Sequence, residues 1–296
     1  MDKIEQKSKD IYQELTDKIV YAIEKGAVNN WQMPWHIKDG GSLLPANVLS
    51  KKTYRGINIL SLWVTVIEKG YSSNLWGTYK QWQELGAQVR KGEKSTLVTF
   101  WKVRELEQET ESEEESNSKK LFIARGYPVF NADQVNGFEA EKESIEPQGR
   151  IKQAEEFFRD LKSSISHGGN KAFYSFEADQ IVLPVFEAFK DPLNYYGTLA
   201  HEHIHWTAHE SRLNRNLENR FGSESYAFEE LIAELGSAFL SASLGLINEP
   251  RAEQVSYLNS WLKVLKSDKR AIFTASSKAQ EAIDWMYMQF EKSKVA

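Results

Sequence analysis

The stretch from Thr198 to Trp206 constrains this chain more than any other, because His201, Glu202 and His205 spell H-E-x-x-H. Two histidines four apart on a helix stand one turn above each other, with Cβ atoms about 5–6 Å apart. Both imidazoles can then reach one divalent ion, at about 2.0–2.1 Å in the case of Zn²⁺. Glu202, beside the first of them, becomes the general base for a water whose pKa the ion brings from about 15.7 to near 7. Tyr195, Tyr196, Leu199, Ile204 and Trp206 supply apolar faces, and no Pro or Gly interrupts Thr198 to Arg212, so a helix is expected there. A His-rich helix with solvated or core-satisfied imidazoles is the alternative that the motif by itself leaves open.

A single ion needs a third protein ligand. Metzincins place a His six residues after the second one; here that position is Ser211, and Ala208 stands where their pattern has Gly. His209 lies two turns beyond His201, about 12 Å along a helix axis at 1.5 Å per residue, which is too far. The better candidate is downstream, in the run Tyr226 to Gly236, where Glu230 and Glu234 are four apart on a second expected helix amid Leu231, Ile232, Leu235, Phe239 and Leu240. Carboxylates in such apolar company are costly to bury unless a cation or hydrogen bonds take up the charge. The arrangement resembles that of gluzincins, in which the first carboxylate of an E-x-x-x-D/E helix binds the ion and the second orients a ligand histidine. Glu230 is therefore the expected ligand and Glu234 the orienting group, with exchanged roles as the alternative. An acidic solvated face over Glu229, Glu230 and Glu234 is the other reading.

The length of 296 residues suggests two domains. Without cysteine there are no disulfides and no thiolate ligands, which suits a reducing cytoplasm. The first residues lack the apolar core of a signal peptide, and no run of eighteen apolar residues exists, so a soluble cytoplasmic protein with no membrane span is expected. An amphipathic helix is expected over 4–25 and ends at Gly26, followed by an aromatic turn-rich stretch around Trp31, Pro34 and Trp35. Helices then follow over 59–69 and from Thr78. Residues 89–94 form a turn into a hairpin of strands 96–103 and 121–129. After a polar linker (131–148), a helix is expected over 151–161. Two short strands, 172–176 and 180–184, come next, and Pro184 suits an edge strand. Closing helices are expected over 250–264 and 276–292.

The formal net charge of −5 is unevenly spread. Residues 42–104 carry ten Lys/Arg against three acids, interleaved with Tyr54, Trp63, Tyr71, Trp76, Tyr79, Trp82, Phe100 and Trp101. Cations that track phosphates and rings that stack on bases are the composition of a single-strand nucleic-acid surface. Part of those aromatics must also form the core of a small domain. Between 105 and 118 seven glutamates occur with no cation, a like-charge block that reads as a solvated loop.

Taken together, Tyr54-Arg55-Gly56-Ile57-Asn58, Trp76 to Gln81, Gly86-Ala87, Val89 to Lys94 and Phe100-Trp101 resemble the single-stranded-DNA-binding domain of ArdC-type antirestriction proteins. His201 to His209, Ser211 to Arg215, Phe221-Gly222 and Tyr226 to Gly236 are similar to that family's C-terminal metallopeptidase-like domain. The resemblance implies an α+β fold of two domains. These are an N-terminal α+β ssDNA-binding domain (1–140, acidic loop 105–118) and a C-terminal, mainly helical zincin-like domain of gluzincin type with a small β-sheet (149–296). It also implies a conjugative-plasmid protein that binds single-stranded DNA and protects incoming DNA from restriction endonucleases. The acidic insert and Ala208 depart from the family pattern. Candidate DNA contacts are Lys51, Lys52, Tyr54, Arg55, Asn58, Trp76, Tyr79, Lys80, Arg90, Lys91 and Lys94, with double-stranded DNA as a second partner to test. The expected metal is Zn²⁺ or another divalent ion on His201, His205 and Glu230, with Glu202 as base and Tyr226 a candidate oxyanion donor. An active endopeptidase delivered to DNA and a purely structural metal are the two alternatives.

Overall fold

A computed structural model describes residues 10–28, 44–106, 119–139, 147–215, 224–246 and 257–295. Trp31 to Trp35, the glutamates from 107 to 118 and Phe221-Gly222 lie outside them.

The chain opens with α1 (Ile11–Val28), which continues through Gly26 instead of stopping there. After β1 (Ala46–Asn47) comes α2 (Ile57–Lys69), closed by Gly70 at φ 66°, a left-handed C-cap that glycine adopts without strain. β2 (Leu75–Gly77) leads into α3 (Tyr79–Glu84). The start of α3 is set by a reciprocal capping box, Thr78 Oγ1 accepting from Gln81 N (3.3 Å) and Gln81 Oε1 from Thr78 N (2.9 Å). β3 (Gln88–Val89) pairs with β6 (Val135–Asn136). The hairpin of β4 (Thr96–Leu106) and β5 (Lys119–Asn131) pairs from Thr96↔Val129, as expected, to Leu106↔Lys119, which makes it longer at its turn end than its apolar pattern indicates. The front sheet has the order β1-β2-β5-β4.

The rear half begins with α4 (Pro147–Asp160) and a sheet of β7 (Ser164–His167), β8 (Phe173–Ser175) and β9 (Gln180–Leu183). Its order is β7-β9-β8, with β7 parallel and β8 antiparallel to β9. This corrects the edge-strand expectation: β9 is central, and Pro184 stands beyond its last paired residue, where a missing N–H costs no ladder bond. β7 escaped the sequence reading because Ser164-Ile165-Ser166-His167 has a single apolar residue. The helices α5 (Pro192–Trp206), α6 (Glu224–Ser243), α7 (Leu258–Ser267) and α8 (Ala271–Val295) complete the fold.

One apolar cluster runs through both halves. Leu15, Ile19 and Ile23 of α1 and Ile57, Leu60 and Trp63 of α2 share it with Phe239 and Leu240 of α6 and Ile283 of α8. Trp63 meets Phe239 edge-on at 5.7 Å. Every residue of α2 from Ile57 to Thr65 is buried, because the helix is sandwiched between the front sheet and the rear helices. Its buried polar residues Asn58, Ser61 and Thr65 are each hydrogen-bonded to β4, so burying them costs little.

Candidate metal centre and basic face

Asp191 caps α5, its Oδ1 accepting from Asn194 N at 2.9 Å, and Pro192 occupies the first helical position. The helix ends at Trp206, short of the expected Arg212. Arg212 Nε instead donates to Trp206 O (2.6 Å), its guanidinium lies 4.2 Å from the Trp206 ring, and Nη1 bonds Asp179 Oδ2 (2.9 Å). One side chain thereby ties the β8–β9 turn to the end of α5. His209 is off the helix, held to Ser211 Oγ at 2.8 Å and packed on Phe176, away from the other histidines.

α5 crosses α6 closely because Gly236 faces Ile204. A Cβ at Gly236 would sit 2.7 Å from Ile204 Cδ1 and 2.8 Å from Cγ1. Gly236→Ala is expected to destabilise the chain by about 1–3 kcal/mol through overpacking, with Ile204→Val restoring part of the loss in a double-mutant cycle read by urea unfolding. Additive effects of the two changes would show that this contact does not set the spacing.

At the crossing, His201, His205 and Glu230 each turn a ligand atom inward, all within 4.8 Å of one another. The two Nε2 atoms are 3.2 Å apart, and Glu230 lies 3.5 Å from each, Oε2 from His201 Nε2 and Oε1 from His205 Nε2. Ligands at 2.0–2.2 Å from a tetrahedral ion are about 3.3–3.5 Å from each other, so this donor set fits a divalent ion. Each imidazole has a carboxylate on its other nitrogen: Glu234 Oε2 is 3.7 Å from His201 Nδ1, and Glu229 Oε1 is 3.4 Å from His205 Nδ1. Glu202, Glu229, Glu230 and Glu234 are all buried, which disposes of the solvated acidic face.

Burial opposes a charge on His205, yet Glu230, Glu229 and Glu202 outweigh it and hold its pKa up at about 9. Burial likewise favours a neutral Glu230, and His205 with His201 overrides that to keep it ionised. A divalent ion held on Nε2 of His205 must displace the proton that this raised pKa keeps on the ring at neutral pH. Apparent metal affinity is therefore expected to climb with pH up to about 9 and then level, with about one proton released per ion at pH 7. Titration calorimetry in buffers of different ionisation enthalpy reads that proton; buffer-independent heats would contradict it.

His203, between the two, is a different kind of histidine. It is fully buried, donates from Nδ1 to Leu199 O (2.8 Å) and accepts at Nε2 from Ser163 Oγ (2.8 Å), and burial holds its pKa near 4. It is neutral and pins α5 to the loop after α4.

The structure divides the candidate DNA residues. Tyr54, Asn58 and Trp76 are buried, which corrects their assignment. Asn58 donates to Thr99 O (2.9 Å) and accepts from Thr99 N (2.6 Å), bridging α2 to β4. Trp76 packs with Tyr54, Leu62, Val98 and Val129 in a small front core. Rings needed to fill a domain this size are not left over for bases. Arg55 is paired with Asp284, and Arg90 with Glu93 (2.8 Å). Lys51, Lys52, Tyr79, Lys80, Lys91 and Lys94 remain exposed. Asn47 gathers four of them: its Oδ1 accepts from Leu49 N and Ser50 N, and its amide reaches Gln81 Oε1 (3.1 Å), setting the Lys51-Lys52 turn beside Tyr79 and Lys80. Phe100 and Trp101, on opposite faces of β4, are partly exposed as well, Phe100 beside Tyr127 and Trp101 beside Phe273.

An H-E-x-x-H helix crossing a second, glutamate-bearing helix beside a small mixed sheet defines a zincin-like domain, and residues 152–278 match the zincin-like metallopeptidase family model. Residues 9–130 match the N-terminal domain of anti-restriction factor ArdC. The chain belongs to the ArdC antirestriction family. The antirestriction ArdC protein from plasmid R388 in its metal-free crystal structure is 39% identical, with a TM-score of 0.78 over 96% of this chain and 98% of that one. Its Mn(II)-bound structure gives 0.75 over 95% and 98%. The uncharacterized protein y4eC of Sinorhizobium fredii is 45% identical over 97% of this chain and 95% of its own length. A DNA primase TraC of Escherichia coli is 34% identical over 97% of this chain, which spans only 28% of that protein. Among the described residues no helix is long and apolar enough to cross a membrane.

Proposed function

We propose that this protein binds single-stranded DNA through its front half, shields it from restriction endonucleases, and holds one divalent ion on His201, His205 and Glu230. The observation that carries the metal reading is the convergence of those three side chains at tetrahedral spacing. Family membership, together with the exposed Lys51, Lys52, Tyr79 and Lys80 beside Asn47, supports the DNA reading. The division at residues 1–140 and 149–296 is kept as the functional one, since the family matches fall within it.

A divalent ion at this centre supplies Lewis acidity and brings the pKa of a water toward about 7. Glu202, buried next to His201, would be the general base for hydrolysis once the ion is held. Glu230 would supply the one anionic ligand, and Glu234, 3.7 Å from His201 Nδ1, would favour the tautomer that leaves Nε2 free to bind. Zn²⁺ suits the two-histidine, one-carboxylate set, and the Mn(II)-bound relative makes a second divalent metal worth the same assay. Oxyanion stabilisation would fall to Tyr226, on the same helix as Glu230. A structural metal is the competing reading, because all four carboxylates are buried in the core of the crossing.

The deciding assay combines metal content per chain with titration of single- and double-stranded oligonucleotides against salt. One ion per chain and a salt-sensitive preference for the single strand are expected. A chain without metal, or one indifferent to single strands, defeats the corresponding half of the reading.

A further inference from the structure

Resting on the metal reading above, we propose that Glu229 and Arg215 form a positioning couple that aims His205 at the ion. The carboxylate of Glu229 lies 3.4 Å from His205 Nδ1, which favours a proton on that nitrogen and leaves Nε2 as the ligand atom. Glu229 is gripped by a guanidinium. Arg215 Nη2 donates to Glu229 Oε1 at 2.9 Å and Nε to Oε2 at 3.2 Å, a bidentate fork.

The same guanidinium is anchored to α5. Its Nη2 donates to Ile204 O (2.6 Å) and Nη1 to Thr207 Oγ1 (2.9 Å), while the Thr207 hydroxyl itself donates to Ile204 O (2.6 Å). Carbonyls in the last turn of a helix lack intrahelical partners, and Arg215 takes up the one next to His205. Its backbone N–H also bonds Ala208 O at 2.9 Å, which folds the chain back so that the side chain reaches inward. Arg215 thus grips the end of α5, which carries His205, and the carboxylate of α6 that orients it. Both partners are buried, and a lysine would not replace the fork, because an ammonium is a point charge without fixed geometry.

The couple also sets the charge of the centre. Glu202, Glu229, Glu230 and Glu234 are all buried at the crossing, and the buried guanidinium of Arg215 is paired with one of them, Glu229. By holding Glu229 to its own cation, it keeps that carboxylate on the histidine and away from the ion.

Glu229→Gln in the full chain keeps shape and an acceptor for Arg215 but removes the anion behind His205. The expected result is a 10–100-fold loss of Zn²⁺ affinity, a shifted visible spectrum in the Co²⁺-substituted protein, and little change in ssDNA binding. Arg215→Lys, with folding checked by circular dichroism, should show the same two metal signatures. Unchanged affinity and spectrum in Glu229→Gln would overturn the positioning role while leaving the metal site standing. Failure of the wild-type chain to bind Zn²⁺ or Co²⁺ would sink the metal reading itself, and this inference with it.

Discussion

Glu202→Gln should leave metal loading and ssDNA binding intact and lower the hydrolysis of denatured casein by about 10²–10⁴-fold, the usual contribution of a positioned acid or base. The amide is nearly the size of the carboxylate, so the buried crossing of α5 and α6 is undisturbed, and Glu202 is not among the three converging ligand atoms. Glu230→Ala is the contrasting variant. It removes the anionic ligand and leaves the two Nε2 atoms facing each other, so stoichiometric metal should be lost along with any hydrolysis. Elemental analysis and the casein assay, run on the same preparations, separate the two. Protection of DNA from restriction is the third readout. If it survives Glu202→Gln but fails with Glu230→Ala, the ion acts by holding the domain together; if it falls with both, protection depends on cleavage. Wild-type protein that carries its ion yet never cleaves casein would remove Glu202 from a catalytic role on that substrate.

Simultaneous replacement of Lys51, Lys52 and Lys80 by Ala is expected to weaken ssDNA binding about a hundredfold at 0.1 M salt. Each phosphate neutralised contributes about −0.7 to the slope of log affinity against log salt on a single strand, so losing three contacts flattens it by about 2. Tyr79→Ala in addition should cost about 1–3 kcal/mol of stacking, with little effect on the slope. Asn58→Ala serves as the control for the buried residues. It strands the Thr99 N–H and C=O, and should lower stability by about 1–3 kcal/mol without altering the salt dependence. Fluorescence anisotropy across a salt series measures all of this; an unaltered slope in the triple variant would move the DNA path elsewhere, with Phe100 and Trp101 as the next candidates.

Spacing alone pointed to the centre of this protein. The four-residue interval of His201 and His205, and glutamates embedded in the apolar run of α6, hold their meaning under any packing, because a helix turns 3.6 residues at a time. The same local rules gave α2, the β4–β5 hairpin and a helix starting at Thr78. Three things lay beyond them. Whether Tyr54 and Trp76 face solvent or core depends on which surfaces the front sheet and α2 bury, and that is a property of the assembled halves. Glu229 beside Glu230 looked like more of the same charge until α5 came to lie across α6. Arg215 carried no signal, since its partners at Ile204, Thr207 and Glu229 are set by a chain reversal after α5. The sequence by itself determined the chemistry available to the centre: two imidazoles, a candidate general base and a candidate anionic ligand, on two helices. Tertiary structure decided which carboxylate stands behind which histidine and which aromatics remain free. Burial and the supply of an opposing charge act through space, between residues that the chain holds far apart.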